Sequence, residues 1–231
     1  NGQTVLTAGD CDMGSGTIIK FNYHTMQFEW SLELAAAYGT FGNLIEHDDK
    51  IYAESCLWPY GINNNYNFQL GTTTIDVPDS LTPIINQMDM GMIVEIETTG
   101  QVSDVFLFGC SNYQILFGNQ EKLSIHFPAN HPPNTWNNFY GNKIYQYSTD
   151  SLINIPLSLD SNGFISEDFF LQFNNGSLDT IITKNVGSYI LDLDDNLLFR
   201  KDTLILKLDR DLNIVSTINS IYYDEIGGAY N

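Results

Sequence analysis

Gly16-Thr-Ile-Ile-Lys-Phe-Asn22 turns at Tyr23-His-Thr25 and returns as Gln27-Phe-Glu-Trp-Ser-Leu-Glu-Leu34. The returning arm alternates strictly, with Phe28, Trp30, Leu32 and Leu34 on one face and Glu29, Ser31 and Glu33 on the other. A period of two is the mark of a half-buried strand, so the stretch predicts a β-hairpin. The same phrase recurs as Gly91-Met-Ile-Val-Glu-Ile-Glu97 with Val102–Phe108, as Leu152–Leu157 with Phe164–Phe173, and as Thr203–Leu208 with Leu212–Ile218.

A second hairpin type precedes these. Asn43–Glu46, a turn at His47-Asp-Asp49 and Lys50–Ser55 form one copy. Ser188–Leu193 with Leu197–Arg200, and the run Tyr140–Tyr147, are its relatives. Residues 3–9 add a strand leading into Gly16–Asn22. Together the two hairpins make a four-stranded unit at a period of roughly 50 residues, which predicts an all-β β-propeller of about four blades. One domain over 1–231 is expected, with insertions at 57–89 and 110–136. Within the first, Asp79–Met88 predicts a short helix. Read in a circle, Gly227–Asn231 followed by Asn1–Leu6 gives a hairpin across an Asn-Gly turn, so the blades close a ring or belong to a longer array. The opening Asn1-Gly2 falls inside a pattern, which implies a processed start or a piece of a longer chain.

The order Gly42-Asn-Leu-Ile, Asp49-Lys-Ile-Tyr-Ala53, insertion, Gly91-Met-Ile-Val-Glu-Ile96, a turn with Gly100 and Val105-Phe-Leu-Phe108 resembles tandem propeller repeats of secreted bacterial proteins. It is most similar to the GloVer-type repeat, with Gly14-Ser-Gly-Thr-Ile-Ile-Lys-Phe21 as the best local match. The resemblance implies a secreted or surface location and no catalytic residues. The sequence departs from it at Cys56-Leu-Trp-Pro-Tyr60, where a glycine-rich stretch is expected.

Composition narrows the partners. The 28 acidic against 9 basic residues give a net charge of −19, a field that repels phosphate backbones and anionic lipid. Hydrophobic residues at 43% suffice for a core, and no apolar run reaches the ~18 residues of a membrane helix. The cysteines, Cys11, Cys56 and Cys110, make neither an even framework nor a Cys-x-x-Cys motif. In a propeller Cys11 and Cys56 occupy equivalent loops, so a bridge between them is the disulfide candidate.

Propeller topology also gathers aromatic residues on one loop face. Trp58, Tyr60, Tyr66 and Phe68 stand among Asn63, Asn64, Asn65, Asn67 and Gln69, and Trp136 and Tyr140 flank Asn137 and Asn138. Flat rings beside amides suit a sugar, the rings for its C–H face and the amides for its hydroxyls. The competing reading is that the rings pack the insertion down and the asparagines make turns. Trp58, Tyr60, Tyr66, Trp136 and Tyr140 are the ligand-binding candidates.

Other chemistry is sparse. His126 and His131 lie near a cysteine without a recognised metal spacing. Asp10-x-Asp12-x-Gly14 and Asp192-x-Asp194-Asp195 are partial calcium loops lacking the glycine and distal glutamate of an EF-hand. No cofactor is expected, calcium being the only candidate. Asn175-Gly-Ser177 spells a glycosylation sequon. There is no Gly-x-Ser-x-Gly and no phosphate-cradling glycine loop. The expectation is a non-enzymatic extracellular propeller that binds a glycan or protein through its loop face. The alternatives are a carbohydrate-active enzyme on that scaffold, with acids drawn from different blades, or a structural module of a surface assembly.

Overall fold

The computed structural model of the chain describes residues 3–8, 16–35, 38–47, 49–58, 66–82, 90–108, 114–118, 123–127, 143–154, 168–174, 177–184, 188–191, 197–201, 203–209 and 211–219. The strands begin with β1 (Gln3–Ala8), β2 (Thr17–Asn22), β3 (Gln27–Ala35), β4 (Tyr38–His47), β5 (Lys50–Trp58), β6 (Asn67–Leu70) and β7 (Thr73–Asp76). Then come β8 (Met90–Glu97), β9 (Val102–Phe108), β10 (Gln114–Gly118), β11 (Leu123–Phe127), β12 (Lys143–Gln146) and β13 (Ser151–Asn154). The last are β14 (Asp168–Asn174), β15 (Ser177–Lys184), β16 (Ser188–Leu191), β17 (Leu197–Lys201), β18 (Leu204–Leu208) and β19 (Ile214–Asn219). The expected hairpins at 16–34, 43–55, 91–108, 188–200 and 203–218 all form.

These strands make four separate open antiparallel sheets. Their orders are β1-β2-β3-β6-β7, β13-β12-β9-β8-β5-β4, β10-β11-β14-β15 and β16-β17-β18-β19. We refer to them as the first to fourth sheets by the chain position of their earliest strand, so the six-stranded sheet is the second. The expected propeller, whether a closed ring of four blades or a window on a tandem repeat, is overturned by this arrangement. So is the resemblance to secreted propeller repeats that rested on it. Unequal strand recruitment is the physical reason. The β6–β7 hairpin, lying in the supposed insertion 57–89, adds to the first sheet through Leu34↔Leu70. The β12–β13 hairpin, expected to belong to the third unit, adds to the second sheet through Ile144↔Phe108. The stretch 110–136 supplies β10 and β11 of the third sheet, and β14 pairs with β11 rather than with the segment at 152–157. Of the expected helix at 79–88, residues 79–82 are described and form a turn in which the Leu81 and Thr82 amides donate to the Pro78 carbonyl; residues 83–89, like the ends 220–231 and 1–2, lie outside the described residues.

Among the described residues, three cores run in series through this stack. The first lies between the first and second sheets, with Ile18, Leu32, Leu34, Phe68 and Leu70 against Met90, Met92, Val94, Val105 and Leu107. The second joins Ile93, Phe106, Phe108 and Ile144 to Leu123, Ile125, Phe127, Phe169, Leu171 and Phe173 of the third sheet. The third is smaller and joins Phe170 to Leu197, Phe199, Leu206 and Leu208. No core joins the fourth sheet to the first among the described residues. Alternation explains the division: even residues of β8 face one way and Ile93 the other, so a strand covered on both faces reads as continuously apolar.

One alternation breaks. The register of β2 and β3 shifts between Lys20 and Phe21, so Phe28 pairs with Phe21 instead of following Trp30 inward. Phe28 is consequently 62% exposed. The bulge brings Glu29 within 3.3 Å of the buried Lys20 ammonium, which also donates to the Thr98 carbonyl at 2.9 Å.

Two groups of the second sheet make it sensitive to alkali. Burial pushes the Tyr145 phenol up to about 12, helped by its hydrogen bond to Asp150. Burial pulls the Lys50 ammonium down, but its hydrogen bond and charge contact with Glu95, and the charge of Glu97, outweigh it and raise the pKa above the ordinary value. Both pKa values are raised on folding. The native state therefore holds these protons longer than the unfolded chain, whose groups release them near pH ~10. Stability should be level below about pH 10 and fall as pH climbs through the native values. Urea midpoints measured across that range test it, and Tyr145→Phe should make the fall shallower. A midpoint that holds steady above that pH would contradict the assignment.

Candidate functional site

The hairpin turns that close β6–β7 and β8–β9 stand against the middle of β3, and a cleft of about 430 Å3 opens between them. Ser31 and Leu32 come from β3, Leu70 to Thr73 from the first turn, and Gly100, Gln101 and Val102 from the second. Leu32 and Leu70 are buried members of the first core, with Val102 packed against it, so they form an apolar floor. Ser31, Thr72 and Gln101 are exposed and Thr73 is half-buried, which gives the rim hydroxyl and amide groups. Among the described residues no ionisable side chain lines the cleft, in a chain whose net charge is −19.

Both walls are fixed by backbone that needs glycine. Gly71 has φ 58°, and its amide donates to the Glu33 carbonyl at 2.8 Å. A Cβ there would meet Leu32 Cδ1 at 3.1 Å, so the turn lies directly on β3. Gly100 has φ 90°, and its amide donates to the Glu97 carbonyl at 2.8 Å. The Trp30 indole covers it, and Trp30 Nε1 donates to the Thr98 carbonyl at 2.9 Å, beside the Lys20 ammonium on the same oxygen. One carbonyl thus receives two donors from the first sheet and pins the second sheet's turn to it.

Four acid–base groups among the described residues, Glu95, Asp104, His126 and Asp168, are committed to the core. Glu95 is buried and accepts from Lys50 Nζ, from Tyr52 OH at 2.8 Å and from Ser103 Oγ at 2.7 Å. Asp104 is buried and accepts from Gln146 Nε2 and Ser148 Oγ, both at 2.7 Å, and from the Ser148 amide at 2.9 Å. His126 Nε2 lies 3.1 Å from Asp168 Oδ1, the shape of a catalytic dyad, yet the two side chains are 1% and 2% exposed. The His126 ring stacks on Phe170 at 4.7 Å and meets the edge of Phe199 at 5.2 Å, so it lies sealed between the third and fourth sheets. No group of three His, Cys, Asp or Glu placed to hold a metal occurs among the described residues.

Of the expected ligand residues, only Tyr66 and the backbone of Trp58 are described, and neither is among the residues lining this cleft. Tyr66 is half-buried against the first core, with φ 53°, and its carbonyl accepts from the Val77 amide at 2.8 Å. Trp58 closes β5 opposite Tyr38. Tyr60, Trp136 and Tyr140 lie outside the described residues, as do His131, Cys11, Cys110, the sequon at 175–176 and the partial calcium loops. Cys56 sits on β5 between Thr40 and Gly91. The cleft's own signal in the sequence is small: two turn glycines, each beside a run of hydroxyl residues, Thr72-Thr-Thr74 and Thr98-Thr99.

Comparison with known proteins adds no function. No family model matches the chain, and no curated protein matches it. Among solved structures, the chain is similar to a protein of unknown function from Bacteroides caccae. The two are 11% identical over 95% of this chain and 94% of that one, with a TM-score of 0.21. A likeness that slight supports no argument about fold or activity. With no propeller scaffold, the expected shared loop face is lost. The predicted glycan- or protein-binding propeller, and the enzyme or surface module on the same scaffold, are withdrawn.

Proposed function

We propose that the chain is a binding module whose cleft between the β6–β7 and β8–β9 turns takes a neutral, hydroxyl-rich ligand such as a sugar. One observation carries this reading: a cleft with an apolar floor and a rim of Ser31, Thr72, Thr73 and Gln101, with no ionisable side chain among its described lining residues, on a strongly acidic chain. Hydroxyls and amides exchange donors and acceptors with a neutral polyol, while the half-buried Val102, backed by the buried Leu32 and Leu70, offers its C–H groups an apolar contact. An ionic ligand would find no counter-charge there. Binding is favoured over turnover because the described residues that line the cleft include no acid or base, and Glu95, Asp104, Asp168 and His126 are buried and hydrogen-bonded elsewhere. An extracellular or cell-surface setting, where such ligands abound, belongs to the same proposal.

Titration calorimetry against a panel of neutral oligosaccharides tests it. Gln101→Ala and Thr72→Ala, both at exposed positions, should each weaken binding about tenfold, the worth of a hydrogen bond or two. Trp58→Ala and Trp136→Ala in the same panel test the aromatic candidates separately. Absence of binding across the panel, or binding indifferent to Gln101 and Thr72, would remove the cleft from consideration.

A further inference from the structure

We propose that the ligand of the cleft is a chain: a neutral oligosaccharide whose later units leave past Ser31 and lie on the exposed ring of Phe28, a proposal that rests on the cleft reading above. The bulge in β3 places that ring. Lys20 pairs with Trp30 and Phe21 with Phe28, so Glu29 is the extra residue. Ser31, on the cleft rim, pairs with Ile19. The β2 partners Ile19 and Phe21 are two residues apart, so Ser31 and Phe28 share one face of the first sheet, roughly 7 Å apart along it. Trp30 lies on the other face, packed against the first core and bonded to the Thr98 carbonyl. Bulges beside binding sites commonly re-aim a side chain, and this one sets an aromatic ring in water on the face of a rim residue.

Exposure and polarity say what the ring suits. Phe28 is 62% exposed, and Tyr23 and Met26 at the end of the same hairpin are 62% and 69% exposed. Three of the seven exposed large apolar side chains among the described residues therefore stand together here, which scattered exposure does not explain. The turn beneath them is held in shape, since Asn22 Oδ1 accepts from the His24 and Thr25 amides at 3.1 and 3.0 Å. Glu29 is drawn to the Lys20 ammonium at 3.3 Å on the other face. In the opposite direction along β3 the shared face leads to Glu33, an exposed acid, so the apolar path runs toward the hairpin end alone. A flat ring takes the C–H face of a sugar unit as the rim hydroxyls take its polar edge. The cleft, at about 430 Å3, lies toward the small end of the usual ~300–1,000 Å3, so a ligand of more than a few units must run out over this surface.

Titration calorimetry of the whole chain with neutral gluco-, xylo- and manno-oligosaccharides, each from disaccharide to hexasaccharide, tests the proposal. In the series that binds, affinity should rise about tenfold with length. Phe28→Ala should flatten the rise, so that the hexasaccharide binds as weakly as the disaccharide, and Phe28→Tyr, which keeps the ring, should restore it. Gln101→Ala and Thr72→Ala should weaken every length alike. Affinity that ignores length, or a rise that survives Phe28→Ala, overturns the proposal; so does an equal loss at every length in a Phe28→Ala chain that circular dichroism shows folded. In those cases the cleft reading stands as long as Gln101→Ala still weakens binding. No binding at any length removes both.

Discussion

Replacing His126 with alanine should destabilise the fold by about 3–5 kcal/mol, the range for truncating a large buried ring and breaking its buried hydrogen bond. The imidazole is the neighbour of a carboxylate that is itself only 2% exposed, and it fills the space between Phe170 and Phe199. Alanine would deprive Asp168 of that hydrogen bond and open a cavity between two sheets, and the two costs reinforce each other. The polar row does not stop there, for Gln172 Nε2 donates to Ser124 Oγ at 3.2 Å on the same face of the third sheet. Urea unfolding of His126→Ala measures the loss. A double replacement, His126→Phe with Asp168→Leu, should recover most of it, because two apolar groups of similar volume need no partner. A loss under about 1 kcal/mol in the single variant would show that the pair is not structural.

Gly100→Ala should be nearly as damaging, at about 2–4 kcal/mol. Its φ of 90° is costly for any side chain, and the new Cβ would stand 2.7 Å from Cγ and Cδ2 of Trp30. The indole has little freedom to retreat while Nε1 is held by the Thr98 carbonyl. Relief must come by moving the turn, which also moves one wall of the cleft. Unfolding midpoint and Trp30 fluorescence should therefore change together. Gly71→Ala, with its nearest contact a Leu32 methyl at 3.1 Å, should cost less because a leucine end can shift. Equal costs at the two glycines would mean that the Trp30 contact is not what holds the turn.

Local structure was readable from the sequence because it rests on local rules. Period-two runs and turn residues located the hairpins at 16–34 and 91–108 within a residue, and the one at 43–55 within five, its strands running on to Tyr38 and Trp58. Which hairpin joins which sheet is a long-range choice, and nothing in Thr73–Asp76 or Ser151–Asn154 states it. Both are four-residue strands that extend a sheet already complete by the repeat argument. The bulge that turns Phe28 outward is equally silent in a pattern that alternates without a break. At the cleft, Gly71 and Gly100 look like any turn glycines. Only the approach of the two turns to one strand gives them a shared task. The buried His126–Asp168 pair spans 42 residues and two strands, beyond the reach of any spacing rule.

Because, among the described residues, each apolar layer is shared only by adjacent sheets, the molecule behaves like a short stack of cards rather than a ball. The β16–β19 card rests on one neighbour through the thinnest layer. Its loss or replacement would leave the layers around β8 and β9 intact. Such a chain can change length at that end by a whole card, which gives descent with modification an inexpensive way to exchange one outer surface while the rest keeps its shape.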